Sequence, residues 1–155
     1  MGTRRSHGNI SFLLVLLLLF TVLVSKCSSF WFEPVTVHVK NDIGDGVWLD
    51  MHCMSDSDDL GQRSLRYGDE WHWKFLVNII PPLTYFWCDF RWYDGNQDQR
   101  WYEGTFDVYH ANGLINMYKK FCERDCQWSY RRDGAYLFRR DKGESGEWEK
   151  RDVWH

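Results

Sequence analysis

The 155 residues carry 19 Lys plus Arg against 22 Asp plus Glu, a formal charge of −3. That balance lacks the concentrated positive field needed to hold phosphates, which argues against a nucleic-acid partner. With 10 Trp, 8 Tyr and 10 Phe, the chain is not a disordered polar one. It has more rings than a single core of this size requires, so some are expected on the surface.

Arg4 and Arg5 precede an apolar block, Phe12 to Phe20 and Val22 to Val24, broken by Thr21 and followed by Ser25, Ser28 and Ser29. This is the pattern of a secretory signal peptide over residues 1–29, cleaved between Ser25 and Ser29. A membrane anchor would need roughly 20 uninterrupted apolar residues, and the block is shorter. No second hydrophobic stretch follows, so the mature chain is expected to be soluble, with no membrane insertion. Loss of Arg4, Arg5 and Lys26 leaves 16 basic and 22 acidic residues, a balance of −6. The remaining 126 residues (155 less 29) match one domain able to bury one core.

If Cys27 leaves with the leader, four cysteines remain: Cys53, Cys88, Cys122 and Cys126. In an oxidising compartment they read as two disulfides. Zinc is the rival reading, but Cys122-x-x-x-Cys126 without a second close pair is weak for a zinc site.

Along the chain, Val35, Val37 and Val39 alternate with Thr36, His38 and Lys40, the period of a strand with one buried face. The turn at Asn41 to Gly46 leads into a second strand, Val47 to Met54. Here Leu49, Met51 and Cys53 share one face, and Trp48, Asp50 and His52 share the other. Ser55 to Asp59 reads as a solvated loop; its acids do not make an EF-hand, because counting from Asp56 places Tyr67 where Glu is required. A third strand covers Glu70 to Val77, with Trp71, Trp73, Phe75 and Val77 inward. Pro81-Pro82 ends it. Leu83 to Tyr93 is apolar on both sides over part of its length and should be central. Trp101 to Tyr109 is its hairpin partner across Asp94-Gly95, and Gly104 suggests a bulge. Asn112-Gly113 reads as a turn, and Leu114 to Lys120 fits a loop or a short helical turn equally well. The last two strands, from Cys126 to Arg131 and from Ala135 to Arg140, flank Asp133-Gly134.

Seven or eight short strands without a long helix predict an all-β fold, an antiparallel sandwich in preference to a barrel. The domain is expected over residues 30–140, with 141–155 a charged, mobile tail. Four cysteines allow three pairings; Cys53 with Cys126 and Cys88 with Cys122 is preferred, since the first member of each pair faces inward on a mid-chain strand.

No nucleophile elbow, phosphate loop or metal-binding helix motif is present. His38, His52, His72 and His110 have no ligand spacing, and a polar sheet face accounts for the first three. No catalytic residue, metal or cofactor is expected.

Several stretches together resemble the plant self-incompatibility S1 proteins, the S-protein homologues. They are Val35 to Asn41, His52-Cys53-Met54-Ser55 with Asp58-Asp59-Leu60-Gly61, Trp73-x-Phe75, Phe86-Trp87-Cys88-x-Phe90-x-Trp92, and Cys122-x-x-x-Cys126-x-Trp128 with Asp133-Gly134-x-Tyr136. The resemblance spans about Val35 to Phe138. It implies a secreted β-sandwich with two intramolecular disulfides that signals without catalysis, as a pistil protein does when a membrane protein on incompatible pollen recognises it. The run from Ala111 to Phe121 is longer than usual for the family, and Asn9-Ile10-Ser11, inside the leader, is the one Asn-x-Ser/Thr sequon.

The expected activity is that of an extracellular, monomeric ligand for a cell-surface receptor. Its recognition residues are placed on two loops, Asp56, Asp58, Asp59 and Gln62 on one and Asp94, Asn96, Gln97 and Asp98 on the other, because loops carry recognition on a rigid scaffold. A carbohydrate-binding module acting on cell-wall glycans is the alternative, using outward Trp48, Tyr85, Trp87 and Trp101. A hydrolase is the third reading, to be dismissed if no histidine meets a carboxylate in a cleft.

Overall fold

In the computed structural model, which describes residues 12–21, 32–78, 84–111, 122 and 124–155, the alternating valines build β1 (Phe32–Asn41). Val35, Val37 and Val39 are buried while Thr36, His38 and Lys40 point outward. The same rule of two makes β2 (Leu49–Ser55), β4 (Glu70–Asn78), β5 (Tyr85–Asp94), β6 (Arg100–His110), β7 (Asp125–Arg131) and β8 (Gly134–Arg139). Two further strands, β3 (Asp59–Leu65) and β9 (Glu147–Asp152), raise the number to nine among the described residues. Both are polar edge strands, which bury too little to imprint an alternation on the sequence.

The strands form two sheets, β4-β1-β7-β8-β9 (sheet A) and β3-β2-β5-β6 (sheet B). Sequence alone suggested purely antiparallel pairing, but β1 and β7 run parallel, with Thr36 opposite Asp125 and Asn41 opposite Tyr130. The inner faces meet through aromatic contacts: Phe90 with Tyr130 at 4.1 Å, Phe75 with Phe86 at 4.5 Å and Phe75 with Tyr109 at 5.0 Å between ring centroids. Trp128 in sheet A donates its indole N–H to the Val108 carbonyl of sheet B at 3.0 Å. As expected, β5 is an inner strand and β6 its hairpin partner. The bulge falls at Val108, between the pairs Phe86–Tyr109 and Trp87–Asp107, and not at Gly104. Gly104 is required for another reason: a Cβ there would lie 2.6 Å from the Phe106 ring.

The cysteines pair differently from the preferred assignment. Cys53 is bonded to Cys88 and Cys122 to Cys126. Cys53 and Cys88 both face the core, but on neighbouring strands of one sheet; they are register partners in the β2–β5 ladder, with Cα atoms 4.0 Å apart. The close pair is thereby left to join locally, with Cα atoms 5.2 Å apart.

The C-terminal segment is structured rather than a mobile tail. β9 pairs with β8, and Trp154 then inserts its ring beside Trp92, Phe106 and Tyr130. His155 pairs both of its backbone polar groups with Glu103 of β6, at 3.0 and 3.2 Å. The chain thus crosses from sheet A to sheet B at its end. A helix over 12–21 exposes its apolar side chains, and no described helix is long and apolar enough to cross a membrane. The cleavage region with Cys27, Pro81-Pro82 and the run 112–121 lie outside the described residues.

Candidate functional site

Outward residues of all four strands of sheet B line a polar groove: Asp50 and His52 from β2, Gln62 and Ser64 from β3, Asp89 and Arg91 from β5, and Glu103 and Thr105 from β6, with His155 at the rim. Period-two alternation sends these side chains away from the core, so a ladder of cross-strand polar pairs is the direct result. Ser64 donates its hydroxyl to Asp50 at 2.5 Å, and Thr105 donates to Asp89 at 2.6 Å. Arg91 Nε lies 3.5 Å from Asp50, and His52 Nε2 lies 2.7 Å from Asp59. Both signs of charge therefore face solvent on one rigid wall.

The two predicted recognition loops sit at opposite ends of this sheet. Ser55, at the first loop, is paired with Phe86, whereas Asp94 lies eight residues further along β5, about 27 Å away at the usual rise per residue. In the first loop the Ser55 hydroxyl oxygen accepts the backbone N–H groups of Ser57 and Asp58, leaving Asp56 and Asp58 exposed. Asp59 and Gln62 belong to β3 rather than to a loop, and Gln62 is part of the groove wall. The Gly61 N–H, with His52 beside it, holds the Asp59 carboxyl below the usual carboxylate range.

Asp94, placed on the exposed loop by the sequence, is buried instead. Its side chain is 2% exposed and accepts from the backbone N–H groups of Asn96 and Gln97, at 3.0 and 3.1 Å, and from Arg132 at 2.6 Å. It shapes the β5–β6 turn and ties it to the β7–β8 turn, leaving Asn96, Gln97 and Asp98 exposed. Burial pushes the Asp94 carboxyl up, but the Gln97 and Asn96 N–H groups and the Arg132 guanidinium outweigh it and hold it below the ordinary value. An aspartate titrates near 3.9 in an unfolded chain. A lower folded value means that the ionised form's contribution is complete above about pH 4 and is lost as pH falls through the folded value. Melting temperature is therefore expected to stay level from pH 7 to about pH 4 and to drop below it. Asp94→Asn should melt lower at pH 7 and decline less steeply in acid, and a melting temperature that rises on acidification would contradict this.

The outward aromatic residues do not form one platform. Tyr85 and Trp87 stack at 5.2 Å at the start of β5. The Tyr85 hydroxyl donates to Asp107, which with burial pushes Tyr85 up to about 12. Trp101 lies at the other end of the hairpin, 57% exposed, against Tyr93 at 5.3 Å and under the Arg91 guanidinium. Trp48 is 50% exposed beneath Arg66. Tyr93 went unassigned in the sequence reading, although extending the alternation of β5 by two residues identifies it.

His52 with Asp59 is a histidine–carboxylate pair at the groove, so the condition for dismissing a hydrolase is not met. The groove hydroxyls of Ser64 and Thr105 are each committed to a carboxylate rather than to imidazole, and all four described cysteines are in disulfides. On the opposite sheet, β1 and β4 bring His38 and His72 together, which the widely spaced sequence positions conceal.

The architecture defines the protein as a small, disulfide-bridged two-sheet β-sandwich. A solved self-incompatibility protein homologue, described as one of a widespread family of small, highly stable, secreted plant proteins, shares this fold. The TM-score is 0.55 at 18% identity, over 79% of this chain and 96% of that one. Residues 36–154 match the family model of plant self-incompatibility protein S1. The chain is 30% identical to S-protein homolog 1 of Arabidopsis thaliana over 116 residues, 73% of this chain and 70% of that protein. It is 29% identical to self-incompatibility protein S1 of Papaver rhoeas over 130 residues, 84% of each. The chain belongs to the plant self-incompatibility protein S1 family. The match runs on through Trp154, in keeping with the packed C-terminal segment.

Proposed function

We propose that the chain is exported with residues 1–29 removed and acts outside the cell as a monomeric, non-catalytic ligand of a cell-surface receptor protein. The observation that carries this reading is the outward polar groove of sheet B, where Arg91, Glu103, Asp89 and His52 offer both charges on a rigid sheet. Directional pairing of that kind suits a folded partner, since complementary charge sets register and encounter rate. Family membership supports the extracellular setting and the signalling role. The exposed Asn96, Gln97 and Asp98 at one end, and Asp56 and Asp58 at the other, extend the surface along the sheet.

Binding of the labelled secreted protein to membranes from pollen and from vegetative tissue tests this reading. Saturable, protease-sensitive binding is expected, weakened at least tenfold in Arg91→Glu while the circular dichroism spectrum is retained. Binding that is absent from both membranes, or indifferent to Arg91→Glu, would remove the proposal. The exposed Trp101–Tyr93 pair favours a second reading, a binder of cell-wall glycans, since sugars stack on such rings. Glycan quenching of tryptophan fluorescence that is lost in Trp101→Ala would support it in place of a protein receptor.

A further inference from the structure

We propose that the outer face of sheet A carries a site for a divalent transition-metal ion of the zinc class, formed by His38, Glu70 and His72. His38 on β1 and His72 on β4 are directly opposite in an antiparallel ladder, the closest placement two strands can give a pair of side chains. Their rings lie 5.2 Å apart at 29°. Glu70 is two residues before His72 and therefore on the same face of β4, with its Oε1 2.7 Å from His38 Nδ1. One ligand atom from each of the three residues lies within 4.8 Å of the others.

Two imidazoles and a carboxylate form a donor set for zinc, copper or nickel rather than for calcium or magnesium, which take oxygen ligands. At metal–ligand bonds of about 2.0–2.1 Å, tetrahedral geometry places ligand atoms about 3.3 Å apart. The His38–Glu70 contact must open slightly and His72 must close in. The Glu70 side chain, 45% exposed, and His72, which is also exposed, have room to do so. His38 is held more firmly, because β1 is an inner strand between β4 and β7.

Behind the imidazole, Asp125 Oδ1 lies 2.9 Å from His38 Nε2. That oxygen is buried and has no aligned hydrogen bond, while its companion accepts from Gln127 and Arg140. An ion on Nδ1 places the proton of His38 on Nε2, 2.9 Å from Asp125 Oδ1, and a small rotation that aligns the two gives the carboxylate–histidine–metal arrangement of natural sites. Three protein ligands leave one coordination position open to solvent. The site lies on the sheet opposite the proposed receptor groove, so either proposal can fail without the other.

Calorimetric titration of the secreted protein, purified without a histidine tag, with zinc chloride at pH 7.5 tests the assignment. One ion per chain is expected to bind, at least tenfold more weakly in His72→Ala and in Glu70→Gln, and with unchanged affinity in His52→Ala. Calcium chloride is expected to give no saturable heat. His72 and Glu70 are exposed, so their replacement leaves the fold in place. The absence of a saturable 1:1 zinc isotherm, or equal zinc affinity in the wild type and His72→Ala, would overturn the site and leave the cluster as an ion-pair network.

Discussion

Replacing Cys53 and Cys88 together by alanine is expected to lower the free energy of unfolding by about 4 kcal/mol, against about 2 kcal/mol for the same change at Cys122 and Cys126. The difference follows from the closed loops. One bridge spans a separation of 35 residues and the other a separation of 4, and the unfolded chain loses more freedom when the longer loop is tied. The longer bridge also lies on the inner face of sheet B, where both cysteines are fully buried, so its removal disturbs packing as well. Urea unfolding followed by tryptophan fluorescence would measure the two losses, and equal losses would show that loop entropy does not govern them. Peptide mapping under non-reducing conditions that joined Cys53 to Cys126 would refute the pairing itself.

Trp154→Ala should cost about 3 kcal/mol, the low end of the range for removing a large buried aromatic side chain, because the residue is only half-buried. Its ring lies 5.3 Å from Phe106, 6.0 Å from Tyr130 and 6.1 Å from Trp92, and its indole N–H donates to the Arg131 carbonyl at 2.7 Å. The substitution opens the end of the sandwich where the two sheets are joined. Trp154→Phe keeps a ring in place but loses the hydrogen bond, so it should recover all but about 1 kcal/mol. Thermal unfolding that gave Trp154→Ala the same melting temperature as the parent would show that the C-terminal segment does not hold the sheets together.

The strands with one buried face were legible in the sequence. Val35, Val37 and Val39, or Trp71, Trp73 and Phe75, alternate because each faces the core, and burial imposes that period. β3 and β9 were not legible, because edge strands with polar side chains on both faces resemble loops. The disulfides were legible as two bridges but not in their pairing. Inward direction is a property of one strand, whereas the adjacency of β2 and β5 is a property of the sheet. Trp154 was missed for a related reason: a lone aromatic among charges has no periodicity, and only the position of β8 and β9 brings it to the core. The groove residues Asp50, His52 and Arg91 were readable as outward, but their gathering on one wall depends on strand order. The same holds for His38 and His72, which are 34 residues apart in sequence and side by side on sheet A.

The parallel ladder between β1 and β7 also sets the order in which the chain can fold. Thr36 waits for Asp125, 89 residues later (125 less 36), an interval of about 4–18 s at ordinary rates of translation. Sheet B draws all its strands from residues 49–110 and can be complete while β7, β8 and β9 are still unsynthesised. β1, by contrast, can find β4 early but must keep its other edge unpaired until the last fifth of the chain emerges. Contacts of such long range make folding slow. Between the emergence of β6 and that of β7, then, the growing chain is a finished sheet beside an unfinished one, with Val35, Val37 and Val39 awaiting their cover.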